Sequence, residues 1–212
     1  NFNNKNSKMK NKNKNKNNSK LSLSKEQVDS VIGLYSSGKI NEAIDAIKAL
    51  NANYPNVPLL FNLLGACYNS LGQLDAAVQM FKTAFEIKPD YAEAYFNHGI
   101  SLKGLGQIEL AVESHKTAVG LIPNYPEAHN ELGIAYIELN QYADAIEHLE
   151  WAVAYKVDFT EAYNNLGVAH REGGQTQSAI KNFEKAIAIN PRYVLACENL
   201  ANMSEESGQI DG

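Results

Sequence analysis

The sequence predicts an all-α protein, a right-handed solenoid of about five helix–turn–helix units and a partial sixth. Three observations lead there. A pattern recurs every 34 residues along most of the chain. Within each period the same places hold Gly or Ala. Each period divides into two amphipathic stretches around a short turn, the pattern of paired helices that each bury one apolar stripe. At 212 residues, 44% hydrophobic and 20% charged, the chain can bury a sizeable core. Only 6 residues are Pro and Ala is abundant, which favours helices.

Residues 1–23 read as a tail. Its first twenty, NFNNKNSKMKNKNKNKNNSK, hold seven Lys and no acid, which against a net charge of −5 leaves −12 on the remainder. So polar a segment cannot offset the entropy of ordering and is expected to be disordered. A solvated leader is the expected reading. Contact with nucleic acid or an anionic surface is the weaker one, because no aromatic beyond Phe2 is interleaved for base stacking. Met9 would suit a native start, with residues 1–8 as an upstream addition. The arm lacks the apolar run of a signal peptide, and no stretch is apolar enough to span a bilayer, so a cytoplasmic protein is expected. Cys67 and Cys197 lie far apart and show no metal-type spacing.

The repeat body spans 24–212. Four full units stand in phase at 58–91, 92–125, 126–159 and 160–193. Position 8 is Gly65, Gly99, Gly133 and Gly167; position 20 is Ala77, Ala111, Ala145 and Ala179; position 27 is Ala84, Ala118, Ala152 and Ala186. These small residues let paired helices approach closely, with position 8 expected to face position 20. Large residues at 4, 7, 11 and 24 fill the space between. A weaker unit, 24–57, keeps Leu34, Gly38, Ala43 and Pro55 but has Val31 at position 8. A sixth, 194–212, covers about one helix. Gly72, Gly106 and Gly174 suit left-handed helix ends. Ser24 with Gln27, Asp90 with Glu93, Asn124 with Glu127, and Asp158 with Glu161 have capping-box spacing. Pro at position 32 is expected to end the second helix, although the third full unit has Val157 there.

This pattern resembles the tetratricopeptide-repeat (TPR) family, over about 24–212. The resemblance implies a superhelix whose concave face is lined by the first helix of each unit. On that helix, positions 2, 6, 9 and 13 form one stripe, separate from the packing residues. Position 6 includes Asn97, Glu131, Asn165 and Asn199, with Leu63 in the first full unit; position 9 includes Ile100, Ile134 and Val168. Position 5 adds Asn62, Asn130 and Asn164. The set is similar to the partial asparagine ladder of superhelical arrays such as that of O-GlcNAc transferase. A side-chain amide both donates and accepts, so it can pair with a main chain of any sequence. The resemblance therefore implies a scaffold that binds a protein or extended peptide. Glu131, Glu138, Glu172 and Glu206 would make the C-terminal half of the groove acidic, which is expected either to meet a basic ligand or to stand as a solvated acidic face. Position 5 holds no Lys and position 9 no Asn, so the carboxylate clamp of chaperone-tail binders is absent.

No P-loop, GxGxxG, HExxH or GxSxG occurs, so a non-enzymatic protein without cofactor is expected. His98, His115, His129 and His170 fall at packing positions; a metal site where the first three cluster is the lesser reading. His148 is expected at the surface, and Trp151 in packing or on the convex side. Two alternatives to the scaffold are kept. One is a regulatory or substrate-recruiting fragment of a larger enzyme, since the chain resembles N-terminal TPR arrays of bacterial transferases and oxygenases. The other is self-assembly through an unfinished last unit that leaves Leu195, Leu200 and Met203 partly uncovered.

Overall fold

A computed structural model describes residues 23–210, with side chains through Met203. The tail expected at residues 1–22 lies outside the described residues. Leu23, assigned to the tail, packs on the first hairpin.

Eleven α-helices and no strand occur among the described residues. They pair as α1 (Lys25–Ser36) with α2 (Ile40–Asn53), α3 (Pro58–Ser70) with α4 (Leu74–Ile87), and α5 (Ala92–Gly104) with α6 (Ile108–Leu121). There follow α7 (Pro126–Glu138) with α8 (Tyr142–Tyr155), α9 (Thr160–Glu172) with α10 (Thr176–Ile189), and a single α11 (Val194–Ile210). Each helix packs on the next in the chain. The odd-numbered helices from α3 to α11 also touch one another in series, and no consecutive even-numbered pair makes a comparable contact. Odd helices therefore crowd together and line the inner side of the curve.

One turn is used five times. In the first full unit Gly72 adopts φ +70° at the end of α3. Its N–H bonds Asn69 O and that of Gln73 bonds Tyr68 O, which satisfies two carbonyls that the helix end would leave bare. Gly38, Gly106 and Gly174 repeat this, and Asn140 (φ 57°) takes the place in the fourth hairpin. Asn is the residue other than Gly that best tolerates this region.

The close approach inside each hairpin is filled from position 24, whose side chain lies nearest to position 8. A Cβ on Gly65 or Gly167 would lie 2.6 or 2.5 Å from the ring of Phe81 or Phe183; one on Gly99 or Gly133 would meet His115 or Leu149 at 2.6 or 2.4 Å. The reason is the inward bend of the position-24 side chain, which covers the turn N-terminal to its own Cα. The Phe81 and Phe183 rings lie against bare backbone and are fully buried, each contributing about 1.5–3 kcal/mol. In the first hairpin Val31 replaces the glycine, and position 24 is Ile47.

Two expectations about helix ends are corrected. Only Ser24 and Gln27 form a capping box. At the other three sites the N-cap is Tyr91, Tyr125 or Phe159, with no side-chain cap bond. Turns such as Tyr91 N–H to Lys88 O and Ala92 N–H to Asp90 O push Asp90 one residue upstream. Glu93 is thereby at the second helical position and free for other partners. Pro at position 32 is also not what ends the second helix. In the fourth hairpin Lys156 closes α8 with the same extended geometry although Val157 follows. Lys156 is held by Glu127 at 3.1 Å and lies over the Phe159 ring.

Two glycines separate these effects by experiment. Gly167→Ala gains roughly 1 kcal/mol of helix propensity but overpacks Phe183, at a cost of about 1–3 kcal/mol. Gly120→Ala, on α6 with nothing within 4 Å, keeps the propensity gain alone. Thermal melts followed by circular dichroism should show Gly120→Ala melting above, and Gly167→Ala below, the parent protein.

Candidate functional site on the inner face

The inner face is built from the odd helices, and its asparagines pair with one another. Asn97 Nδ2 donates to Asn62 Oδ1 at 3.1 Å, Asn165 Nδ2 to Asn130 Oδ1 at 2.9 Å, and Asn199 Nδ2 to Asn164 Oδ1 at 3.0 Å. Each bond runs from position 6 of one unit to position 5 of the unit before. The position-5 members Asn62, Asn130 and Asn164 are buried. They do not stand on the open stripe with position 6, because position 5 points into the seam between units. Asn97, Asn165 and Asn199 are half-buried, as are Ile100, Ile134 and Val168. Val168 also packs against the cluster of Ala179, Phe183 and Met203.

Where position 5 is not Asn, position 6 is not Asn either. Phe96 precedes Glu131, and Val28 precedes Leu63. With no amide to meet, Glu131 bonds the Lys103 ammonium. Sequence reasoning missed this coupling and the part played by Lys103. The signal was present in the chain's own repeats: reading position 5 against the next position 6 gives Asn with Asn in three seams and no mixed pair.

The charges are mostly answered. Glu131 pairs with Lys103, Glu172 with Arg171 at 3.0 Å, and Glu127 with Lys156. Glu93 accepts from Asn62 Nδ2 at 3.1 Å. Of the four acids expected to make the face acidic, Glu138 keeps an open carboxylate among the described side chains, and the side chain of Glu206 lies outside them. Two hollows of about 440 Å³ each lie elsewhere. One is at the N-terminal end, against Val31 and Leu50; the other is on the outer side, between α4 and α6 over Tyr95 and His98.

The described residues contain no helix long and apolar enough to cross a membrane. Tetratricopeptide-repeat models match residues 92–125 and 130–194, and a TPR-repeat model matches 65–106. The crystal structure of MamA protein is similar at 25% identity, TM-score 0.69, covering 80% of this chain and 92% of that one. MamA 41-end from Desulfovibrio magneticus RS-1 superposes with TM-score 0.71 at 22% identity, covering 80% and 96%. YrrB, described as a TPR protein with an unusual peptide-binding site, superposes with TM-score 0.68 at 20% identity, covering 81% and 89%.

The histidines do not gather as a metal site. Among the described residues no three metal-binding side chains come together. His98 Nδ1 meets Ser114 Oγ at 2.8 Å, while His129 turns away to His148. His148, expected at the surface, is half-buried by that contact and by stacking on Tyr136. Pro123 O accepts from His129 Nε2 at 2.9 Å, so His129 Nδ1 accepts from His148 Nδ1–H at 3.2 Å. Trp151 is exposed and stacks on Tyr155.

His115 is fully buried with neither ring nitrogen bonded. Burial, with Lys103 and His98 nearby, lowers its pKa from the ordinary 6.5 to about 3. The unfolded chain therefore takes up this proton first. The stability involved is fully present above about pH 6.5 and is lost as pH falls toward 3. Urea midpoints measured from pH 7.5 down to 4.5 should fall, and His115→Phe, which copies the second and fifth hairpins, should flatten the decline. An unchanged slope in that variant would show that His115 is not its source.

Proposed function

Because this chain belongs to the tetratricopeptide-repeat family, we propose that it is a non-catalytic interaction scaffold that holds an extended peptide or protein segment along its inner face. One observation carries the reading. Asn97 and Asn165 stand half-buried on that face, and no protein group among the described residues bonds their Oδ1. Each thus offers one acceptor and one spare N–H, which is what a passing peptide unit can use. Ile100, Ile134 and Val168 flank them with apolar surface for ligand side chains. The peptide-binding site described for YrrB is in keeping with this use of the fold. A preference for Lys or Arg is placed at Glu138, because Glu131 and Glu172 already face cations of the same chain. Both cysteines are free, which suits the reducing cytoplasm.

A second reading is favoured by α11. Val194 and Leu195 at its start are exposed, as is Ala201 at the position where each earlier full unit buries a glycine against its second helix. Met203, expected to be uncovered, is instead buried on Phe183, and Leu200 is half-buried there. Association of copies would use the remaining face. Sedimentation across a concentration series decides it; a strict monomer throughout removes this reading.

For the scaffold, the full chain and an Asn97→Ala/Asn165→Ala variant serve as baits in lysate of the source organism. Each lost amide contact is expected to weaken binding about tenfold, from roughly 1–1.5 kcal/mol per hydrogen bond. A partner held by the parent should be lost by the folded variant. Equal retention by both would move the binding surface off the inner face.

A further inference from the structure

We propose that Asn62 and Asn130 are positioning residues that lock the amides of Asn97 and Asn165 in one orientation, and that these two, but not Asn199, are the main-chain-binding rungs of the face. The inference rests on the scaffold reading and specifies which groups meet the ligand and in what polarity.

The polarity follows from chemistry at both ends of the array. Glu93 Oε1 can only accept, so Asn62 must turn its NH₂ toward it. Asn62 Oδ1 is left facing Asn97, which therefore donates. At the other end the Arg171 guanidinium can only donate, and its Nη1 bonds Asn199 Oδ1 at 3.1 Å. Asn199 Nδ2 is then the group that faces Asn164. Asn130 and Asn165 have the same polarity. A side-chain amide held through one N–H is biased toward that orientation, so the Oδ1 of Asn97 and Asn165 is presented to the ligand at a reduced ordering cost on binding. Asn199 differs because Arg171 occupies its carbonyl. The intervening Glu131 is likewise occupied by Lys103. Open rungs thus stand two units apart, with an ion pair between them. The ligand is an extended chain that gives an N–H to each open Oδ1.

Position 130 tolerates the necessary test, because this chain already places Val28 and Phe96 at the same position in other units. Asn130→Leu removes the acceptor for Asn165, and Asn130→Asp keeps it. The probe is the tightest dodecapeptide selected by the full chain from a random display library, and affinity is read by calorimetry. Expected is a loss of about tenfold or more for Asn97→Ala, Asn165→Ala and Asn130→Leu, and of less than about threefold for Asn199→Ala and Asn130→Asp. An Asn199→Ala loss equal to that of Asn165→Ala, or an unaffected Asn130→Leu, overturns the assignment while leaving the scaffold reading in place. Failure to select any peptide overturns the scaffold reading itself. The positioning claim is read separately in the ligand-free protein. The side-chain N–H signals of Asn165 should exchange slowly with solvent in the parent and in Asn130→Asp, and rapidly in Asn130→Leu. Equal exchange in all three overturns it.

Discussion

Each full hairpin is organised by the absence of one side chain. Glycine at position 8 lets the position-24 group lie on the backbone of the facing helix, and the distance between the two helices is set there. A mid-helix glycine costs about 0.5–1 kcal/mol relative to Ala. The buried Phe81 or Phe183 offsets this, since a ring in full contact contributes more than the propensity lost. Positions 20 and 27, which are Ala throughout and fully buried, then bring the second helix against its neighbours. Change the spacing within a hairpin and the seams between hairpins, with their amide pairs, no longer register.

The fold was legible because a period of 34 residues constrains every unit at once. The turns were legible too, since Gly72 and its equivalents stand where a left-handed residue is required. Capping boxes at Asp90, Asn124 and Asp158 were misread because spacing alone cannot say which residue begins the helix; backbone turns placed an aromatic there instead. The candidate site was half legible. Residue type picked out the asparagines, but helical periodicity does not tell a position facing the groove from its neighbour facing the seam. Asn62, Asn130 and Asn164 therefore entered as candidate contacts, and the structure buries them against Asn97, Asn165 and Asn199. Met203 was misplaced for a related reason: its surroundings depend on Phe183, a residue from the preceding unit.

Charge and protonation divide along the same geometry. On the inner face the cations Lys103, Arg171 and Lys156 each meet a carboxylate, which makes the surface less acidic than the sequence suggests. In the hairpin interiors His115 stands where Phe or Leu stands elsewhere, and an imidazole with no partner is tolerated only while neutral. The third hairpin is accordingly one place where acid costs the fold stability.

The seam rule limits how such an array can be rearranged. Excising unit 126–159 alone would set Phe96 against Asn165, and excising 92–125 alone would set Asn62 against Glu131. Removing both together would join Asn62 to Asn165, which is again an amide meeting an amide. Removing 160–193 alone would set Asn130 against Asn199, again an amide meeting an amide. Which repeat moves therefore decides whether a joint is matched: units 92–125 and 126–159 travel as a pair, whereas 160–193 can leave by itself, a distinction that the 34-residue period hides.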